Sequence, residues 1–236
     1  MRRLILVLLP LLLALAGQAR AETPVDLELV LAVDASGSVD DREFDLQLTG
    51  IATAFRSPEV LAAIEGGAYG RIAVALVIWA EHNRPKALSR WHLVQDRASA
   101  DAFADEVAGF PRGLVNGATG IGKAIFFSAK AIEQNAYAGS RKVVDISGDG
   151  RETPPDDWTV MLPQGQAYAA ARGVGVNGLA ILTDQPDLAA YYRAEVILGF
   201  GAFVEVAETY DDVARAMQRK LIREIATPLA IGRLAR

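Results

Sequence analysis

Three oxygen-bearing side chains crowd into the five residues Asp34-Ala35-Ser36-Gly37-Ser38. One carboxylate and two hydroxyls on a short turn suit a hard divalent cation: Mg2+ takes about six oxygens, keeps several waters and engages only one or two carboxylates. Two further oxygens stand at comparable points of the chain, Thr119 just ahead of a helical stretch and Asp149 just after a strand-like one. Taken alone, Asp34 to Ser38 would serve equally as a strand-ending turn with a helix cap, because Asp, Ser and Gly are ordinary turn residues. The arrival of Thr119 and Asp149 at matching positions favours a metal site of five residues, for Mg2+ or Mn2+, with Ca2+ also admissible.

The elements that must position these residues are legible as an alternation of strand-length apolar runs with helix-period segments, the pattern of βαβ units around a largely parallel sheet. Leu27 to Val33 is apolar except for Glu28 and predicts a central strand covered on both faces. Residues 40 to 56 space Phe44, Leu48, Ile51, Ala52 and Phe55 as an amphipathic helix, with Asp40, Asp41 and Glu43 at its start. Ile72 to Trp79 predicts a strand, and Ala87 to Val94 a weaker one pairing with it as an antiparallel hairpin. Helices follow over 99 to 108 and Ile121 to Gln134, the latter with Ile121, Ile125, Ser128 and Ile132 on one stripe. Arg141 to Ser147 predicts a strand ending at Gly148-Asp149-Gly150, before a polar loop through Pro154-Pro155-Asp156-Asp157 and a helix over 164 to 172. Val174 to Leu182, a short helix near 187 to 194, Ala202 to Val206 and a helix over Asp211 to Ile225 complete the pattern, with Pro228 marking its stop. Asp34 and Asp149 thereby fall at the carboxyl ends of strands, where open α/β sheets bind ligands.

Asp34-x-Ser36-x-Ser38, the distant Thr119 and the distant Asp149-Gly150 together resemble the metal-ion-dependent adhesion site (MIDAS) of the von Willebrand factor type A (vWA) domain, over roughly residues 25 to 225. Within that family the chain is most similar to a group of exported bacterial proteins of the DUF1194 type. The resemblance implies an α/β, Rossmann-like three-layer sandwich: a mostly parallel six-stranded central sheet with one antiparallel edge strand, and helices on both faces. It further implies that Ser36, Ser38 and Thr119 are direct or near-direct ligands, that Asp34 and Asp149 act directly or through water, and that an acidic group of the partner completes the cation's coordination. Ser147-Gly148 departs from the bulkier residue and Thr common in the family, which predicts a looser loop. Asp145, a carboxylate within an apolar strand, predicts a buried hydrogen bond, because an unpaired buried acid is costly.

Met1-Arg2-Arg3, the apolar run Leu4 to Ala16 and Ala19-Arg20-Ala21 read as a cleaved secretory signal over residues 1 to 21. About 13 apolar residues fall short of the roughly 20 that span a bilayer, so no transmembrane segment is expected in the mature chain. A single vWA-like domain over 22 to 228 and a tail over 229 to 236 would remain, periplasmic or secreted. The 24 basic residues lose Arg2, Arg3 and Arg20 with the signal, and set against 29 acidic residues the net charge moves from −5 to −8. An acidic chain argues against nucleic acid as a partner. The absence of cysteine excludes disulfides, thiolate metal sites and cysteine nucleophiles.

Other motifs compete less well. Gly117 to Lys123 has the glycine and lysine frame of a phosphate-binding loop, but Ala124 stands where a Mg2+-holding Ser or Thr belongs, and Pro111 to Asn116 is a poor preceding strand. Gly173-Val-Gly175-Val-Asn-Gly178 opens a strand, whereas a dinucleotide fingerprint must follow one. His82 and His92 read as surface or hairpin residues, and Arg219, Lys220 and Arg223 as a solvated helix face. No residue is assigned a catalytic role. The expected function is an exported, cation-dependent binding module for a carboxylate of a protein or peptide partner. A metal-dependent hydrolase in the same crevice, or a structural domain with an unused site, are the alternatives.

Overall fold

The computed structural model describes residues 22–83, 86–113, 117–155 and 157–226. The expected signal and tail, Pro228, and residues 84–85, 114–116 and 156 lie outside them. The strands are β1 (Thr23–Asp34), β2 (Ile72–Trp79), β3 (Ala87–Leu88), β4 (His92–Val94), β5 (Tyr137–Gly148), β6 (Val174–Ile181) and β7 (Val204–Ala207). They form one sheet in the order β3-β2-β1-β5-β6-β7, with β4 also on β2. β1 pairs in parallel with β2 and β5, and β6 and β7 extend the sheet in parallel. Its last eight residues are all buried, as expected of a strand covered on both faces.

Among the described residues the expected six strands become seven, because the antiparallel edge is broken in two. Val77 faces Leu88 and Val74 faces His92, so three edge residues, 89 to 91, oppose two of β2. This is a one-residue bulge. Ser89 sustains it: its N–H donates to the Leu76 carbonyl at 2.9 Å, and its hydroxyl accepts the Leu76 N–H at 2.8 Å.

Helices α1 (Asp41–Phe55), α2 (Pro58–Glu65), α3 (Arg97–Ala108) and α7 (Val213–Ala226) lie on one face over a core that includes Phe44, Leu48, Ile51, Phe55, Phe103 and Leu221. Helices α4 (Ile121–Glu133), α5 (Leu162–Ala170) and α6 (Leu188–Tyr191) lie on the other, with α6 running into a π-turn at Tyr192–Val196. The start of α1 is closed by a capping box between Asp40 and Glu43. The sequence reading passed over α2, although Ser57 caps it and Pro58 opens it.

Two expectations about polar residues need correction. Lys220 is wholly buried rather than solvated: its Nζ lies 2.8 Å from Asp145 Oδ2 and 3.3 Å from Glu224 Oε2. Asp145 is therefore partnered by an ion pair, since no apolar environment would accept its charge alone. The surface reading of His82 and His92 fails, since both are buried, while the hairpin reading holds for His92, on β4; His92 Nε2 sits 2.7 Å from Glu106 and His82 Nε2 3.5 Å from Glu152.

Candidate metal centre

Asp34 ends β1, and its carbonyl accepts a hydrogen bond from buried Gln47 of α1 at 3.0 Å. The chain then turns over its own carboxylate, the Ser36 N–H donating to Asp34 Oδ1 at 2.8 Å. Ser36 and Ser38 bring their hydroxyl oxygens to 3.3 Å, and Ser38 donates to Asp149 Oδ1 at 2.7 Å. The second Asp149 oxygen accepts from the Tyr210 hydroxyl at 3.0 Å. Thr119 closes the group from the loop before α4: a Cβ placed on Gly150 would stand 3.3 Å from its Oγ1. Backbone bonds stitch the three loops together, Gly37 N–H to the Gly117 carbonyl at 3.0 Å and Thr153 N–H to the Thr119 carbonyl at 2.9 Å. Asp34, Ser36, Ser38 and Asp149 thus gather at the carboxyl ends of β1 and β5, with Thr119 against Gly150, next to Asp149.

The electrostatics of this cluster suit a cation. Asp34 is wholly buried, and desolvation followed by the nearby charge of Asp149 pushes its carboxyl up to about 7. Asp149 is raised as well, chiefly by burial, with Ser38 and Tyr210 opposing. Asp34 Oδ2 is buried with no hydrogen-bond partner, and an uncompensated buried acceptor is expensive. Two carboxylates and three hydroxyls are oxygen donors of the kind Mg2+ or Mn2+ takes. Among the described residues no group of three or more His, Cys, Asp or Glu is placed to hold a metal. The five expected donors are oxygens, the ligand type that hard cations prefer.

Gly148 does not loosen the loop as expected. It is the last residue of β5, and a side chain there would meet Asp34 Oδ2 at 2.8 Å and the Tyr192 hydroxyl at 3.0 Å. Its bareness lets two elements close on the site. Sequence reasoning also missed Glu152, Arg112, Tyr192 and Tyr210. The Glu152 carboxylate accepts the Gly122 N–H and the Leu162 N–H, both at 2.8 Å, and so caps α4 and α5 at once. Arg112 binds Asp41 and the Val39 carbonyl, fixing the turn after Ser38, and its charge opposes the upward shift of Asp34. The only sequence signal for Glu152 was its place three residues after Asp149.

The competing motifs resolve on the same geometry. The start of α4, where a phosphate-binding loop would hold its anion, already carries the Glu152 carboxylate. Gly173 to Gly178 leads into and along β6, with no helix N-terminus after it.

No curated protein matches the chain. Solved structures do. The pilus adhesin SpaC from Lactobacillus rhamnosus GG superposes with a TM-score of 0.59 at 14% identity, over 86% of this chain and 31% of that one. Proximal thread matrix protein 1 from the mussel byssus, in a structure with a zinc-occupied MIDAS motif, gives 0.56 at 12% identity over 87% and 49%. The vWF domain of the type V pili tip protein Mfa5 from Porphyromonas gingivalis gives 0.55 at 12% identity over 84% and 94%. The chain spans about a third of the first protein and half of the second, and at these identities the likeness is one of fold. The family model described as a protein of unknown function, DUF1194, matches residues 24–229, which places the chain in the DUF1194 family, with the fold that those solved structures share.

Proposed function

We propose that this protein is an exported, divalent-cation-dependent binding module: residues 22 to 228 form one vWA-like domain that follows a cleaved signal and acts in the periplasm or outside the cell. Asp34, Ser36, Ser38, Thr119 and Asp149 hold Mg2+ or Mn2+, and the cation takes a carboxylate from a protein or peptide partner. The observation that carries this reading is the meeting of two buried, mutually repelling carboxylates with three hydroxyls at the mouth of the sheet, one carboxylate oxygen being without a partner. An adhesin and a MIDAS-bearing matrix protein among the structural neighbours support it. Trp158, almost fully exposed in the loop between Asp149 and α5, offers an aromatic side chain to a partner.

Calorimetric titration with Mn2+ and Mg2+, followed by acidic peptides with and without chelator, tests the reading. Wild type should bind the cation and then the peptides, and Asp34→Ala should lose both. Metal-dependent turnover of an ester or phosphate panel, lost in the same variant, would instead establish a hydrolase. No metal heat and no thermal shift would leave a structural domain.

A further inference from the structure

Tyr192 is wholly buried, yet its hydroxyl has no hydrogen-bond partner. A phenylalanine would fill the same core volume without the cost of an unsatisfied buried hydroxyl, so apolar packing does not account for the phenol. Its approach is purpose-built. The ring passes over β6 where a Cβ on Gly178 would stand 2.7 Å from Cδ1, and a Cβ on Gly148 would stand 3.0 Å from the Tyr192 hydroxyl and 2.8 Å from Asp34 Oδ2, so both unpartnered oxygens border the same bare position. Glycines on two adjacent strands thus clear a path that ends at the other unpartnered oxygen of the site. The π-turn that begins at Tyr192 is a departure from regular helix that recurs at functional sites. On the opposite side Tyr210 already donates to Asp149 at 3.0 Å.

We propose that Tyr192 is a positioning residue of the metal centre: its hydroxyl is the donor that orients Asp34 Oδ2 when the site holds its cation. Tyr210 on Asp149 and Tyr192 on Asp34 then form a pair of phenols, one behind each carboxylate. The inference rests on the cation reading of the site and adds to it residues that lie outside the five-residue motif. Outer partners of this kind fix the direction of a ligating oxygen, and their loss costs roughly 10- to 100-fold in metal affinity.

Tyr192→Phe tests this, because the ring and its packing remain. Mn2+ affinity, read by calorimetry and by the Mn2+ electron paramagnetic resonance spectrum, should weaken about tenfold or more, while the melting temperature in chelator stays level or rises. A fall in melting temperature with affinity within twofold of wild type would mean that the residue is structural, and would overturn the proposal. Labelling the tyrosines at ring Cζ gives a second readout: the resonance missing from Tyr192→Phe should move when Mg2+ is added to wild type. A resonance that stays still on saturation also overturns it. If wild type binds neither Mn2+ nor Mg2+, the cation reading fails and this inference with it; if wild type binds and Tyr192→Phe binds equally, only this inference fails.

Discussion

Asp34 and Asp149 are held close in a buried setting, and that placement has a cost that depends on pH. An unfolded aspartate titrates near 3.9, whereas burial and Asp149 hold folded Asp34 at about 7. The folded state therefore binds the Asp34 proton more tightly, so the stability it contributes is complete below the unfolded value and is lost as pH rises through about 7. Asp149 shifts in the same direction. In chelator, the melting temperature should fall between pH 5 and pH 8, and Asp34→Asn should flatten much of that fall. Saturating Mg2+ should raise the melting temperature more at pH 8 than at pH 5, since the cation and the proton compete for the same carboxylates. A melting profile in chelator that rises from pH 5 to pH 8 would contradict this account of the site.

At the scale of elements, Glu152 carries the clearest consequence, since one side chain serves two helix starts. Glu152→Ala should lower stability by about 2 kcal/mol, the sum of two modest caps, visible as a lower urea midpoint at an unchanged slope. Glu152→Gln, which keeps one acceptor, should fall between it and wild type. The periodic elements were the legible ones: β1, α1, α4 and α7 each declared an apolar pattern that burial then matched. The gathering of Asp34, Ser36, Ser38 and Asp149 was legible too, because each stands at or just after the carboxyl end of a predicted strand. Features made by contacts between distant residues were not. The edge bulge depends on Ser89, whose N–H and hydroxyl both bond Leu76, while Glu152 sits in a loop, Tyr192 in the π-turn after α6 and Tyr210 in a single 3-10 turn, segments too short to carry a periodic signature. Lys220 misled because a charge at helical spacing reads as solvated until the Asp145 that receives it is seen on the strand below.

On the scale of the whole molecule, that buried charge group fixes α7 to the sheet. Lys220 stands between Asp145 of β5 and Glu224 of its own helix, and Asn177 of β6 donates to Glu224 at 2.7 Å. Lys220→Met should destabilise by about 3–5 kcal/mol, because it strands two buried carboxylates rather than because it loses an attraction. Adding Asp145→Asn should recover part of the loss in guanidinium unfolding, and two losses that simply add would refute the coupling.

The backbone bonds that tie the Gly37, Thr119 and Thr153 segments together involve no cation. They let the loops be ordered before anything arrives. Amide hydrogen exchange at Gly37 and Thr153 should accordingly be slow in chelator, slower than at Trp158, which is 93% exposed. Metal and partner would then meet a surface whose ordering entropy was spent during folding, so encounter should depend on diffusion and charge more than on loop rearrangement.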